Sequence, residues 1–198
     1  QGGKDAAAFG QTERQLLLLP DVENLMNLAI FMDAHTVCGD AHLLEPVQKG
    51  LMALALDNDA MLSRFAAAID AFGGSAGWWN RLLGMGDANQ QLNLKKEGIF
   101  PLVHGVRSLA LAYRVTETST TARIAALVKD GKLEANLGAD LTDSLYFFLG
   151  LKLKAGLAEL YTGKPVTGTI NVRRLSRPDR NLLQDTLGVA KRLMAPRR

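Results

Sequence analysis

Cysteine is nearly absent from this sequence of 198 residues, and long apolar runs are missing altogether. The single cysteine, Cys38, excludes an internal disulfide framework and is typical of a protein in a reducing compartment. No apolar run approaches the roughly 20 residues that a membrane span requires, and no secretory signal pattern is present. We therefore expect a cytoplasmic protein with no membrane partner.

Aromatic residues are also scarce, at 6% of the chain, and none follows Tyr161. Residues 173–198 carry eight basic side chains against two aspartates, a net charge of +6, which leaves −3 on residues 1–172 because the whole chain carries +3. A basic end can attract phosphates or nucleic acid, but this one lacks the aromatic platforms on which single-stranded bases stack. We interpret it as solvated helix faces and a basic tail, and expect no nucleic-acid partner.

The sequence offers no metal site and no activated nucleophile. A zinc site needs four ligands, or three and a water molecule, at characteristic spacings. The candidates here follow no such spacing: Cys38, His35, His42 and His104. Cys38 stands beside a glycine, so we interpret it as a packed small residue and not as a nucleophile paired with His35. His104 is interpreted as a histidine on a helix surface.

Apolar residues recur mainly with the helical period. Stripes of this kind cover residues 22–30, 43–54 and 61–72, and four more follow residue 98. The longest, over 141–160, is apolar around much of its circumference and predicts the central helix of a bundle. The one strand-like segment, 165–170, contains proline and glycine and is interpreted as an ordered loop.

Helix-end signals accompany the later stripes. Residues 118–121 and Ser176 offer N-caps, and Pro101 suits a first helical turn. Gly131 suits a helix C-terminus. Residues 73–98 are punctuated by glycines and mark the expected internal boundary.

The sequence therefore predicts an all-α protein with no substantial sheet. We expect an N-terminal helical region over residues 1–91, packed on an up-and-down four-helix bundle over residues 92–198.

The most specific pattern lies between Leu92 and Arg123. It opens as L-N-L-K-K-E-G-I-F-P-L-V-H-G-V-R and ends as T-S-T-T-A-R. Core packing alone does not require a lysine after an apolar-polar-apolar triplet, followed by a glycine, a proline and an arginine. The pattern resembles the opening of the nucleotidyltransferase substrate-binding domain of bacterial signalling proteins, and the resemblance covers roughly residues 21–194.

The resemblance implies that a catalytic domain lies elsewhere. In similar proteins a transferase domain like that of the PII-protein uridylyltransferases precedes this region, together with CBS or cyclic-nucleotide-binding modules. Such a domain needs a Gly-Ser turn and an Asp-x-Asp pair, because two close carboxylates bind Mg²⁺. Here Gly74–Ser75 is followed only by Asp87–Asn89, which lacks the second carboxylate. We predict no catalytic residue and no cofactor in this chain, and the resemblance assigns Mg²⁺ and a nucleoside triphosphate to the upstream domain.

Lys95 and Arg107 are the strongest candidates for contact with a substrate. Lys95 precedes a predicted helix N-terminus, where free N–H groups and the helix dipole favour anions. The uridylyltransferases have a similar Asn-x-Lys stretch followed by glycines, matched here by Asn93–Lys95 and Gly98. The resemblance adds Arg123 to this substrate-binding set. The alternative is that Lys95 is merely solvated and that Arg107 pairs with an acid between helices.

Two aspartates complete the predicted site. Asp33 continues the helical register of Val22, Met26 and Ile30, so it should face inward and must be paired or hydrogen-bonded. Asp40 follows a glycine and is a natural N-cap for the next helix. The structural interpretation is that Asp33 holds a neighbouring segment while Asp40 caps. The resemblance favours a substrate-binding role for both.

We therefore expect the non-catalytic part of a nucleotidyltransferase, which binds and positions the acceptor. The expected partners are the upstream catalytic and regulatory domains of the same protein, and the sequence leaves open a protein acceptor and a homodimer. The alternative is a helical interaction or dimerisation module with a vestigial site. An independent enzyme is a third interpretation, for which the sequence offers no catalytic constellation.

Overall fold

The computed structural model describes residues 22–56, 59–72 and 91–194. The first part contains, in chain order, α1 (Val22–Phe31), a 3₁₀ turn (Ala41–Leu43), α2 (Glu45–Leu56) and α3 (Asp59–Phe72). These helices follow the first three predicted stripes. Gly74–Ser75 and Asp87–Asn89 lie outside the described residues.

The second part carries the bundle. It contains, in chain order, β1 (Gln91–Asn93), a π-helical turn (Leu94–Ile99), α4 (Phe100–Ala112), α5 (Thr120–Lys129), α6 (Ala135–Tyr161), β2 (Thr169–Asn171), a 3₁₀ turn (Val172–Arg174) and α7 (Arg177–Met194). Across the described ranges there are seven α-helices and one two-stranded sheet, which confirms the all-α prediction. None of the helices in those ranges is both long enough and apolar enough to cross a membrane.

Local signals set the ends of the bundle helices as predicted. The Ser119 hydroxyl accepts a hydrogen bond from the Ala122 N–H at 3.2 Å where α5 begins. The Ser176 hydroxyl accepts one from the Asp179 N–H at 3.2 Å where α7 begins. Gly131 follows α5 with a φ of +66°, a conformation that glycine adopts without steric cost. The sequence therefore defines these ends locally, independently of tertiary packing.

Helix α4 is the central element of the molecule. Leu102, Val106 and Ala110 lie in a large core shared with α5, α6 and α7. Leu111 lies in a second core, which α1 and α3 build around Phe65. The prediction that the long helix would be central was wrong, because several leucines of α6 are exposed. α4 takes that place since the bundle covers one side of it and the N-terminal helices cover the other.

Helix α1 buries a face that is rotated from the predicted one. The predicted stripe ran through Ile30, which is exposed. The residues of this segment that are buried are Leu25, Leu28, Ala29 and Met32. They pack on α3, and this contact sets the orientation of α1.

The small sheet corrects part of a second prediction, because residues 165–168 are irregular, as expected, but 169–171 form a strand. Leu92 pairs with Ile170 in an antiparallel register, and both side chains are buried. Gly168, with a φ of +66°, accepts a hydrogen bond from the Leu94 N–H at 3.2 Å through its carbonyl. The strand was missed because its partner is only three residues long and distant in sequence.

The π-helical turn packs closely on α6 because residue 98 is glycine. A Cβ atom at Gly98 would lie 2.8–3.0 Å from the ring of Phe148, closer than packed atoms approach. The Asn93 side chain accepts a hydrogen bond from the Lys96 N–H at 3.0 Å, and the Glu97 carboxylate accepts one from the Asn93 N–H at 2.6 Å. This reciprocal pair resembles a capping box and fixes the entry into α4.

Candidate functional site

The candidate site is an ionic cluster at the junction of the N-terminal helices and the bundle. Asp33 follows the end of α1, Arg107 lies on α4 and Arg123 lies on α5. The Arg107 Nη2 donates to Asp33 Oδ2, and its Nε donates to Asp33 Oδ1 at 3.3 Å. Arg123 Nη1 donates to the same Oδ1 at 2.7 Å. We call these three residues the arginine–aspartate cluster.

Arg123 is the most deeply buried member of the cluster. Its Nη2 donates to the Met32 carbonyl at 2.9 Å, and its Nε has no hydrogen-bond partner among the described residues. Burial lowers the pKa of Arg123, and the hydrogen bond to Asp33 opposes that shift. The cluster holds two guanidinium groups and one carboxylate, so it carries one uncompensated positive charge.

Asp33 is paired, as predicted, but for a different reason. It does not extend the apolar stripe of α1, because the helix ends at Phe31 and the chain turns there. The Asp33 N–H donates to the Ile30 carbonyl at 3.1 Å, and the Ala34 N–H donates to the Phe31 carbonyl at 2.9 Å. The turn leaves 39% of the Asp33 side chain exposed while it points toward both arginines. The structure also agrees with the alternative interpretation of Arg107, in which it pairs with an acid, while a substrate-binding role for Asp33, Arg107 and Arg123 stays a prediction.

Asp40 has the capping role that its position predicted. Its carboxylate accepts a hydrogen bond from the His42 N–H at 2.9 Å, and its carbonyl accepts one from the Leu43 N–H at 3.2 Å. The element that it caps is the 3₁₀ turn before α2. Gly39 precedes it with a φ of +90°, a conformation that side-chain-bearing residues rarely adopt. A substrate-binding role for Asp40 stays a prediction.

Lys95 lies apart from the cluster. Its side chain is exposed on the π-helical turn, and its carbonyl accepts a hydrogen bond from the Phe100 N–H. Within the described ranges no ion pair joins Lys95 to Asp33, the one acid of the cluster. The structure therefore brings together Asp33 and the two arginines, and it leaves Lys95 facing solvent.

His104 was predicted on a helix surface, and that prediction was wrong. The side chain is buried on α4, with its Nε2 2.6 Å from the Phe65 carbonyl. Since a carbonyl only accepts, Nε2 carries the hydrogen, and Nδ1 is left without a partner in the described part of the chain. Burial lowers the pKa of His104; the hydrogen bond to the Phe65 carbonyl opposes this shift, and the nearby charge of Arg107 adds to it. The imidazole is therefore neutral and links α4 to α3.

A periodicity in α4 could have revealed this second face. Phe100, His104, Arg107 and Leu111 are separated by four, three and four positions, so they lie on one side of the helix. The Phe100 ring stacks on His104 with 5.3 Å between ring centroids. Arg107 contacts Asp33, which follows α1, and Leu111 packs in the core that α1 and α3 build. This spacing could have predicted a second buried face of α4, but the apolar stripe through Leu102 and Val106 is the more obvious pattern in the sequence.

Metal chemistry finds no support in the described residues. No group of three or more His, Cys, Asp or Glu side chains in those ranges could hold a metal ion. Cys38, His35 and His42 are exposed between α1 and α2, whereas His104 is buried on α4. The expectation that Cys38 is a packed small residue was wrong, because its side chain is exposed.

Comparison with known proteins identifies the region that carries the bundle. A family model described as "Putative nucleotidyltransferase substrate binding domain" matches residues 59–195, more than two thirds of the chain. That range contains Lys95, Arg107 and Arg123, whereas Asp33 and Asp40 precede it. Searches of curated proteins and of solved structures gave no match. By its match over α3 and the whole bundle, this chain belongs to the nucleotidyltransferase substrate-binding domain family.

Proposed function

We propose that this chain binds and positions the acceptor of a nucleotidyl transfer whose catalytic centre belongs to an upstream domain of the same protein. That domain is similar to the PII-protein uridylyltransferases and holds Mg²⁺ and a nucleoside triphosphate. Regulatory domains of the same bacterial signalling protein control the reaction. The residues of this chain bind and orient the acceptor and perform no chemical step.

One observation carries the proposal: a single carboxylate is shared by arginines from two different helices of the bundle. Asp33 lies on the segment which, by resemblance, leaves the catalytic domain. Guanidinium groups are planar and donate in fixed directions, so such contacts fix orientation as well as distance. The arginine–aspartate cluster therefore fixes the segment that carries Asp33 against α4 and α5.

A fixed orientation is what substrate positioning requires. A displacement of about 1 Å at reacting atoms can cost about 100-fold in rate, even when its cause lies far from the chemistry. With Arg107 held by Asp33, the exposed Lys95 is left to contact an anionic group of the acceptor, such as a phosphate. A single exposed lysine binds a phosphate weakly in water, and the same charge counts for more once a catalytic domain covers it.

The test compares Lys95→Ala with Lys96→Ala in the full-length protein. Both lysines are exposed on the same turn, so both variants should unfold within about 0.5 kcal/mol of the parent. The full-length protein should transfer label from α-phosphate-labelled nucleoside triphosphates, with Mg²⁺, to an acceptor in an extract of its own cells. Lys95→Ala should lower this transfer about fivefold, equivalent to about 1 kcal/mol, and Lys96→Ala should leave it nearly unchanged.

Three results would contradict the proposal. Label transfer by the isolated 198-residue chain would identify it as an enzyme. Equal losses in the two lysine variants would indicate a general effect of surface charge. A folded full-length protein that transfers no label would argue against the nucleotidyl transfer itself.

A helical interaction module is the second candidate function. The observation that favours it is a row of exposed apolar side chains on α6, far in excess of those on the other bundle helices.

A further inference from the structure

Helix α6 carries an apolar face that nothing in the described residues covers. Its members are between 43% and 65% exposed: Tyr146, Leu149, Leu153, Leu157 and Leu160. They follow one another at intervals of three, four, four and three residues, which keeps them on one side of an α-helix. We call these five residues the α6 stripe.

The exposed apolar side chains are concentrated on α6 and are not spread evenly over the surface. Twelve large hydrophobic side chains are exposed in the described residues, and six of them lie on α6 when Tyr161 is included. Single exposed apolar residues are normal on a monomer, whereas a contiguous patch marks an interaction surface. Helix α7 is the contrast, because among its described side chains Leu182 is its one exposed large hydrophobic.

We propose that the α6 stripe is the interface at which two copies of this chain pair, with their α6 helices antiparallel about a two-fold axis at Leu153. The spacing of the stripe reads the same in both directions from Leu153. In an antiparallel pair, Tyr146 of one copy therefore meets Leu160 of the other, and Leu149 meets Leu157. An isologous contact requires such self-complementarity, and a parallel pairing would not use it.

Charges at the ends of the stripe favour the same arrangement. Asp143 lies ten residues before Leu153, and Lys164 lies eleven residues after it. Both side chains are exposed; Asp143 makes no ion pair in the described part of the chain, and Lys164 lies close enough to Glu159 to lower the pKa of that carboxyl. Asp143 lies near the start of α6 and Lys164 follows its end, so antiparallel pairing brings each Asp143 toward the other copy's Lys164 and offers two opposite-charge pairs. Parallel pairing would instead place Asp143 beside the other copy's Asp143 and Lys164 beside the other copy's Lys164, so that like charges would repel.

The exposed area of the stripe reaches the lower limit for a dimer. Its five side chains expose roughly 500 Å² per copy, taking full residue areas of roughly 180 Å² for leucine and 220 Å² for tyrosine. Two copies would then bury roughly 1,000 Å², about the minimum for a specific interface. This inference names a partner for the helical interaction module, and it does not depend on the proposed positioning of an acceptor, since it uses neither Lys95 nor the arginine–aspartate cluster.

Sedimentation of the 198-residue chain over a range of concentrations tests the proposal. The parent chain should dimerise reversibly. Leu153→Asp should raise the dimer dissociation constant at least about 30-fold, as expected for a central interface residue. The control is Leu182→Asp, an exposed leucine on α7, which should leave the dissociation constant unchanged. Circular dichroism should show that both variants retain the parent's helix content.

Charge exchange tests the register. Asp143→Lys and Lys164→Asp should each weaken the dimer several-fold, and the double variant should restore it. In a Cys38→Ser background, Leu153→Cys should form a disulfide-linked dimer under mild oxidation, because the two-fold axis brings residue 153 close to its copy.

Four results would overturn the proposal. The first is a chain that stays monomeric at every concentration. The second is a dimer that Leu153→Asp does not weaken, and the third is a double charge variant no better than the single ones. The fourth is that the 198-residue chain is monomeric and that Leu153→Asp changes the behaviour of the full-length protein alone. That result would mean that the stripe contacts another domain of the same protein.

Discussion

Replacement of Asp33 by alanine should destabilise this chain far more than loss of an ordinary surface ion pair. Asp33 is the acid that both Arg107 and Arg123 contact, and their side chains are only 10% and 2% exposed. Removing one partner of a buried pair costs about 3–5 kcal/mol, because the other charge is left uncompensated. Asp33 itself is 39% exposed, so water entering its place offsets part of the loss. We expect a decrease of about 2–4 kcal/mol in the free energy of unfolding.

The measurement is urea unfolding at neutral pH, followed by circular dichroism. In thermal unfolding, the expected loss for a chain of this size corresponds to a fall in Tm of about 5–15 °C. A matched control is available in Asp140, whose ion pair with Arg192 spans 2.8 Å but leaves the two side chains 46% and 60% exposed. Asp140→Ala should cost at most about 1 kcal/mol, since exposed pairs are screened by water and salt.

The comparison also identifies the source of the effect. Asp33→Asn keeps the size of the side chain and removes its charge, so it should lose most of the stability that Asp33→Ala loses. Equal losses for Asp33→Ala and Asp140→Ala would refute the argument that burial of the arginines makes the difference. A variant Asp33→Asn as stable as the parent would refute the argument that the charge does.

Two further predictions concern α4 and its approach. The pKa of His104 is lowered in the folded chain, so below about pH 6.5 the unfolded chain binds more protons and the free energy of unfolding should fall as the pH drops. His104→Gln should reduce this pH dependence, whereas substitution of the exposed His35 by glutamine should not. pH-dependent unfolding of the two variants checks this, and identical profiles would contradict it. Gly98→Ala should cost about 1–3 kcal/mol because the new methyl group meets the Phe148 ring. Gly188→Ala, at an exposed position of α7 where the new methyl group has nothing within 4 Å, should be neutral or stabilising by up to about 1 kcal/mol. Urea unfolding distinguishes them, and a harmless Gly98→Ala would mean that the turn can move away from α6.

Local chemistry made most of the bundle predictable. Helix caps such as Ser119 and Ser176 and the glycine at 131 act within a few residues, so the sequence contains the whole interaction. The apolar period likewise predicts that a helix forms. It does not predict which helix is central, because exposure depends on what the other segments cover. The long α6 looks like a core helix in sequence, yet its leucines at 149, 153, 157 and 160 are exposed.

The candidate site was predictable only in part, for a related reason. A carboxylate at Asp33 had to be compensated, and the sequence indicated as much. The partners could not be named, since Arg107 and Arg123 lie 74 and 90 positions further along the chain. Their meeting depends on how α1 ends and on how α3 packs against α4. The burial of His104 depends on the same packing.

The position of α4 between two cores determines where this protein can be cut. A fragment that begins at residue 92 would retain every bundle helix and would still fail as a stand-alone piece. It would expose Leu111, deprive His104 of the Phe65 carbonyl and leave two arginines without Asp33. Such a fragment should aggregate or recruit the missing layer from a second molecule. A shortened version that is to remain folded must therefore begin no later than α1.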